Sequence, residues 1–286
     1  MSEPFMKKVK GDGVEINLAI WEGNGKPVIC VHGITANCLS FDVMAKALAP
    51  TYRVIAMDLR GRGGSDKPPA GYSLDHHIRD IICIMDNLRL EEAVLMGHSL
   101  GAFISLAFGA RYPDRTDRII LVDGGGKLSQ EQLDNVFAAI KPSLDRLGKV
   151  FHSADAYIDT MKSAPYMHPW SNVIEGYYHY EIEEVEGGVR CNINPNHIQE
   201  EAKNFRKVKF DTFYSRIGCK VLILRATDGL FSQKDLLLPE PVVLQMVREI
   251  PNTKRFDVTG VNHFGIALQP HGDRDRAVLD FLNEPK

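Results

Sequence analysis

The chain has 286 residues, and its 34 Lys and Arg against 37 Asp and Glu give a formal charge of −3. That balance leaves no excess positive charge to neutralise a phosphate backbone or an anionic bilayer, so nucleic acid is excluded as an expected partner. With 44% hydrophobic and 25% charged residues, the composition is that of a globular chain with a sizeable core, not of a disordered or collagen-like one.

The opening residues, Met1 to Lys8, lack the apolar stretch of a secretory signal, and no segment approaches the ~18 apolar residues that a membrane span needs. Five cysteines, Cys30, Cys38, Cys83, Cys191 and Cys219, are odd in number and widely spaced, so neither a disulfide framework nor a thiolate zinc site is expected. Together these features predict a soluble, cytoplasmic protein with no membrane span.

Residues Val14 to Trp21 alternate apolar and polar side chains and predict a half-exposed antiparallel strand at a sheet edge. Short β-branched runs follow at Val28 to His32, Tyr52 to Met57, Ala93 to Met96, Arg118 to Val122, Lys220 to Leu224 and Lys254 to Val258. Helical segments separate them, and strands alternating with helices read as a parallel sheet with crossovers. The stretch from Ser73 shows the helical period, because Leu74, Ile78, Ile81, Ile82, Met85 and Leu88 recur every three or four residues behind a Ser73 N-cap.

After Val122 the alternation stops, and Asp123-Gly124-Gly125-Gly126 opens about 90 residues of helical, aromatic-rich sequence before the strand at Lys220. We expect a core formed by residues 1–126 and 216–286 and a cap over the sheet formed by residues 127–215, with part of a small hairpin at Val189 to Pro195. Within the cap, Met161, Trp170 and Tyr178 are candidates for lining a substrate pocket. A cluster of this kind equally serves as a cap's own core.

Gly97-His98-Ser99-Leu100-Gly101 lies directly after one predicted strand and before a helix beginning near Ala102. A serine held in so sharp a strand-to-helix turn is strained and exposed, and glycines two residues to either side relieve the crowding. From here the chain resembles the α/β-hydrolase family, over nearly its whole length. The resemblance rests on four motifs: His32-Gly33-Ile34, the turn Asp58-Leu59-Arg60-Gly61-Arg62-Gly63-Gly64-Ser65, the elbow at Ser99, and Gly260-Val261-Asn262-His263. It implies an eight-stranded, mostly parallel sheet with helices on both faces, and a serine nucleophile that needs no cofactor.

A serine hydroxyl needs a neighbouring imidazole to take its proton, and of ten histidines His263 follows the last predicted strand, at the edge where such sites collect. The acid that orients it has two candidates. Asp228, 35 residues before His263, gives the chain order Ser, Asp, His and is preferred, although Arg225-Ala226-Thr227-Asp228 lacks the glycine that the family carries before its acid. Asp123, at the end of the preceding strand, is the competitor and is expected instead to bond backbone amides at the cap entry. By resemblance, the main-chain amides of Ile34 and Leu100 form the oxyanion hole, and His32 braces that loop.

Arg60 to Gly64 has no P-loop ending and reads as a structural turn, Gly124 to Gly126 is not a dinucleotide fingerprint, and no acidic or histidine cluster has metal spacing. The expected activity is carboxylic-ester hydrolysis on a small-molecule ester. The alternatives are lactone opening, including acyl-homoserine lactones, carbon–carbon bond hydrolysis on the same triad, or a ligand-binding receptor built on the fold. Whether the chain forms a homodimer is left open.

Overall fold

A computed structural model describes residues 3–285. Eight strands form the main sheet: β1 (Phe5–Lys10), β2 (Glu15–Trp21), β3 (Pro27–Val31), β4 (Arg53–Met57), β5 (Val94–His98), β6 (Arg118–Val122), and, beyond an insertion, β10 (Lys220–Ala226) and β11 (Thr253–Val258). Their order is β1-β2-β4-β3-β5-β6-β10-β11, with β2 antiparallel to both of its neighbours and the remaining pairs parallel.

Along β3 the side chains alternate between two cores. Ile29 and Val31 join one cluster with Ile55, Leu95 and Phe108, whereas Val28 and Cys30 join another with Phe41 and Val94. A sheet buried on both faces reads as continuous apolar runs, which is why these strands were legible. The expected helix from Ser73 spans Leu74–Asn87 and buries Ile78, Ile81, Ile84 and Met85.

The first predicted strand needs two corrections. β2 is fully buried after Glu15, and the sheet edge belongs to β1, which the sequence reading did not predict. β1 is mostly exposed and carries Lys7, Lys8 and Lys10, charges that keep an edge strand from pairing with another chain and that also hide its β character.

Between β6 and β10 the chain forms helices at Gln130–Ala139, Lys141–Asp145, Ala154–Lys162, Asn172–Tyr180 and Pro195–Phe205. It also forms a small antiparallel sheet of β7 (Val150–Phe151), β9 (Gly188–Cys191) and β8 (Ile182–Val185). Polar caps start four of these five helices: Ser129, Ser153 and Ser171 accept from the backbone three residues on, and Asn194 from the backbone two residues on. The hairpin therefore runs from Ile182 to Cys191, and Pro195, assigned to it from sequence, opens a helix instead.

Candidate active site

Ser99 sits between β5 and the helix Leu100–Arg111 with φ 55 and ψ −119, a left-handed conformation that a non-glycine residue holds at a cost of about 1–3 kcal/mol. Backbone approach fixes both flanking glycines. A Cβ on Gly97 would lie 2.0 Å from the Gly101 carbonyl oxygen, and one on Gly101 would lie 1.8 Å from that of Val31. The turn is tied to the next strand by the Ser99 amide, which donates to the Val122 carbonyl at 3.1 Å.

His263 follows β11, and its Nδ1 donates to Asp123 Oδ2 at 2.7 Å; both residues are buried. The expected partner, Asp228, is not there. Its side chain is exposed and accepts from Thr227 Oγ1 at 3.1 Å. The reason lies in the strand ends. β10 runs on to Ala226, paired with Val258, and the Ala226 amide already donates to Asp123 Oδ1 at 3.1 Å, so the chain has passed the site before it reaches position 228. Asp123 is the first residue past β6. Its left-handed φ of 45, tolerable for aspartate, turns the chain there, and its amide is pinned to the Leu224 carbonyl.

Gly33 and Ile34 follow β3 and pass close to the elbow, a Cβ on Gly33 lying 3.2 Å from that of Ser99. His32 holds this loop. Its Nε2 accepts from the Leu59 amide at 3.0 Å, which requires Nδ1 to carry the proton, and Nδ1 donates to the Gly33 carbonyl at 2.7 Å. Because the Gly33–Ile34 peptide is trans, the Ile34 N–H points opposite to that bonded carbonyl. Burial holds the His32 pKa down at about 4, so the ring is neutral and keeps both bonds. Leu100 opens its helix, where backbone N–H groups have no intrahelical acceptor.

Two buried arginines, not anticipated from sequence, grip the same loop from behind. Arg62 Nε donates to the Ile34 carbonyl at 3.1 Å, and its Nη2 pairs with Glu201 of the insertion at 2.7 Å. Arg146 Nη2 donates to the Thr35 carbonyl at 2.9 Å while Nε and Nη2 each meet Glu181 at 2.9 Å. Glu201 also meets His77 Nε2 at 2.8 Å, and although burial works against its charge, His77 and Arg62 together hold its carboxyl at about 2. The turn from Asp58 to Ser65 is structural. Asp58 accepts from the amides of Cys38 and Gly64, from Asn17 Nδ2 and from Tyr180 Oη, and Arg60 makes a two-pronged pair with Asp80.

One cavity brings together Ser99, His263, His98, Ile34, Thr35 and Tyr177. The three candidate pocket residues do not line it. Met161 and Tyr178 are buried in the insertion's own core, and Trp170 lies parallel to Tyr178 with ring centroids 5.8 Å apart. Tyr177, one position earlier on the helix, faces the cavity instead, a difference of about 100° that periodicity without a known packing partner cannot assign. Among the described residues, no group of three or more His, Cys, Asp or Glu side chains is placed to hold a metal, and no helix is long and apolar enough to cross a membrane.

Comparison with known proteins agrees with this architecture. The chain is 26% identical over 262 residues to a 2-(acetamidomethylene)succinate hydrolase of Mesorhizobium japonicum, covering 92% of this chain and 90% of that one. It is also 26% identical over 242 residues to a serine hydrolase-like protein of Danio rerio, covering 79% and 72%. The crystal structure of an E-2-(acetamidomethylene)succinate hydrolase superposes with a TM-score of 0.86 at 24% identity, over 98% of this chain and all of that one. A family model describing the alpha/beta hydrolase fold matches residues 26–270, and the chain belongs to that family.

Proposed function

We propose that the protein is a serine hydrolase that cleaves carboxylic esters through an acyl-enzyme, with Ser99 as nucleophile, His263 as general base and Asp123 as the acid that orients it. The observation that carries this reading is the 2.7 Å bond from His263 Nδ1 to Asp123, on an imidazole that shares a cavity with the strained Ser99. Such a bond fixes the tautomer, leaving Nε2 bare to accept a proton.

Ser99 Oγ attacks the ester carbonyl as His263 takes its proton, and the oxyanion is held by the Ile34 and Leu100 amides. His263 returns that proton to the departing alkoxide, leaving an acyl-Ser99 ester. Water then attacks, giving a proton to His263, and collapse releases the carboxylic acid and restores Ser99. Asp123 remains a carboxylate throughout and stabilises the imidazolium. Residues 127–215 act as the cap that shields this chemistry from bulk water. The relatives called hydrolases support turnover over a receptor role.

Acid release from short esters, followed by pH-stat with the parent and with Ser99→Ala, tests this. A signal lost in Ser99→Ala, with a fluorophosphonate adduct on Ser99 by intact mass, is expected. Undiminished hydrolysis by Ser99→Ala would remove Ser99 from the mechanism.

A further inference from the structure

A second cavity also opens onto Ser99, and its lining differs in kind from the first. Apart from Ser99 every residue that walls it is apolar, among them Phe103, Leu133, Val136, Phe137, Phe205 and Leu237. The insertion helix Gln130–Ala139 supplies one wall. Its Leu133, Val136 and Phe137, with Ile140 just beyond, recur at helical spacing, yet only Ala139 of that helix is buried. An apolar helix face ordinarily packs into a core. Here it faces open space beside the serine.

The two cavities are distinguished by the proton-transfer residue. His263 and His98 line the first and are absent from the walls of the second, whereas Ser99, Ile34 and Ile140 line both and Leu100 lines the second alone. In the acyl-transfer step the leaving alkoxide must lie beside the imidazole that protonates it. The alcohol half of an ester therefore belongs to the cavity with His263, and the acyl half to the apolar one. We infer that the second cavity is the acyl site and takes an uncharged hydrocarbon chain, an assignment that rests on the serine-hydrolase reading above. No lysine or arginine is among its lining residues. Arg206, whose guanidinium lies 5.1 Å from the Phe137 ring centroid, is outside the lining. The site is thus built against the charged acyl group of a dicarboxylate half-ester, which would lose its hydration with no cation to pair with.

The experiment compares kcat/KM for methyl acetate, butyrate, octanoate and monomethyl succinate, with the parent, Val136→Trp and Leu133→Trp. Burying each added methylene is expected to raise kcat/KM about three- to fourfold until the cavity is filled, with the succinate half-ester below butyrate. Either tryptophan should lower the octanoate-to-acetate ratio at least about tenfold, and because this is a ratio within one protein, partial misfolding does not imitate it. Octanamide, an unreactive neutral chain, is titrated calorimetrically into Ser99→Ala and into Ser99→Ala/Val136→Trp. Acetate turnover with no gain from longer chains, or preference for succinate, would overturn the acyl-site assignment while leaving Ser99 as nucleophile. Silence toward every ester, with octanamide bound by Ser99→Ala and not by the tryptophan double variant, would retire the reaction and uphold the apolar site. Neither turnover nor binding would overturn both.

Discussion

His98 donates its Nε2 proton to the main-chain carbonyl of His263 at 2.8 Å, and the two imidazole centroids lie 4.6 Å apart. A carbonyl only accepts, so Nε2 carries the single proton of the neutral His98 ring, and among the described residues its Nδ1 is buried without a partner. Desolvation first, and the neighbouring His263 second, hold the His98 pKa well below the ordinary histidine value. His98 thus stays neutral and adds no second charge beside the imidazolium that forms during turnover. We read it as a positioning residue for His263. His98→Phe, which keeps a ring and removes the donor, is expected to lower kcat about ten- to hundredfold with little change in KM, and His98→Gln, which restores an N–H, to recover much of it. Steady-state kinetics of the two variants check this, and equal losses in both would sink the positioning role.

The acid assignment gives the clearest contrast between two side chains of the same type. Asp123→Asn removes the charge that stabilises the imidazolium and permits the wrong tautomer, so kcat on a Ser99-dependent ester should fall by about 10³–10⁴. The Asp228 side chain is exposed and accepts from its neighbour Thr227, so Asp228→Asn is expected to change neither kcat nor stability by more than about 0.5 kcal/mol equivalent. Parallel kinetics and thermal melts of the two variants decide it; the reverse ranking would restore Asp228.

The elements that the sequence made legible were those fixed by local rules. The buried parallel strands announce themselves as apolar runs, and the Ser99 elbow by glycines that the backbone approach demands. Asp123 against Asp228 was not decidable in this way, because it depends on where β10 stops relative to β6, and a one- or two-residue difference in strand end lies within the uncertainty of any boundary read from sequence. Arg62 to Glu201 and Arg146 to Glu181 escaped for a different reason. Each joins residues 139 and 35 positions apart in segments with no shared pattern, and a charged residue in isolation reads as surface.

Those two pairs make the insertion and the loop after β3 energetically one unit. Arg146→Met would strand Glu181, a buried carboxylate left with Tyr157, and release the Thr35 carbonyl. Removing one partner of a buried ion pair costs about 3–5 kcal/mol. The expected result is a loss of that size in urea unfolding, together with a fall in kcat at temperatures where the variant is still folded, because the loop proposed to hold the oxyanion has lost one of its two arginine anchors. An unchanged kcat in the folded variant would show that Arg62 alone suffices to hold the loop. Arg62→Met, stranding Glu201, should behave alike, and since the two arginines anchor adjacent carbonyls of one loop, the double variant should depart from additivity.

His32 predicts how the fold responds to acid. Its folded pKa is about 4, against 6.5 for an unperturbed histidine, with desolvation the main cause. Above pH 6.5 the ring is neutral in both folded and unfolded chains and contributes nothing to the pH dependence. As pH falls from 6.5 toward 4 the unfolded chain binds a proton that the folded one refuses, so stability drops by about 1.4 kcal/mol per pH unit, or about 3 kcal/mol in all. His98, shifted in the same direction, steepens the slope in this range. Glu201 acts lower: its depressed carboxyl stabilises the fold above about pH 4.5, and that contribution is lost as pH falls toward 2. Urea unfolding at pH 7.5, 6 and 5 measures the first window. His32→Asn, which cannot titrate there, is expected to lose one proton from the slope between pH 6.5 and 5, whatever its stability at pH 7.5. An unaltered slope in the variant would mean that His32 protonates as readily in the fold as in the unfolded chain, and would remove it as the neutral brace of the Gly33–Ile34 loop.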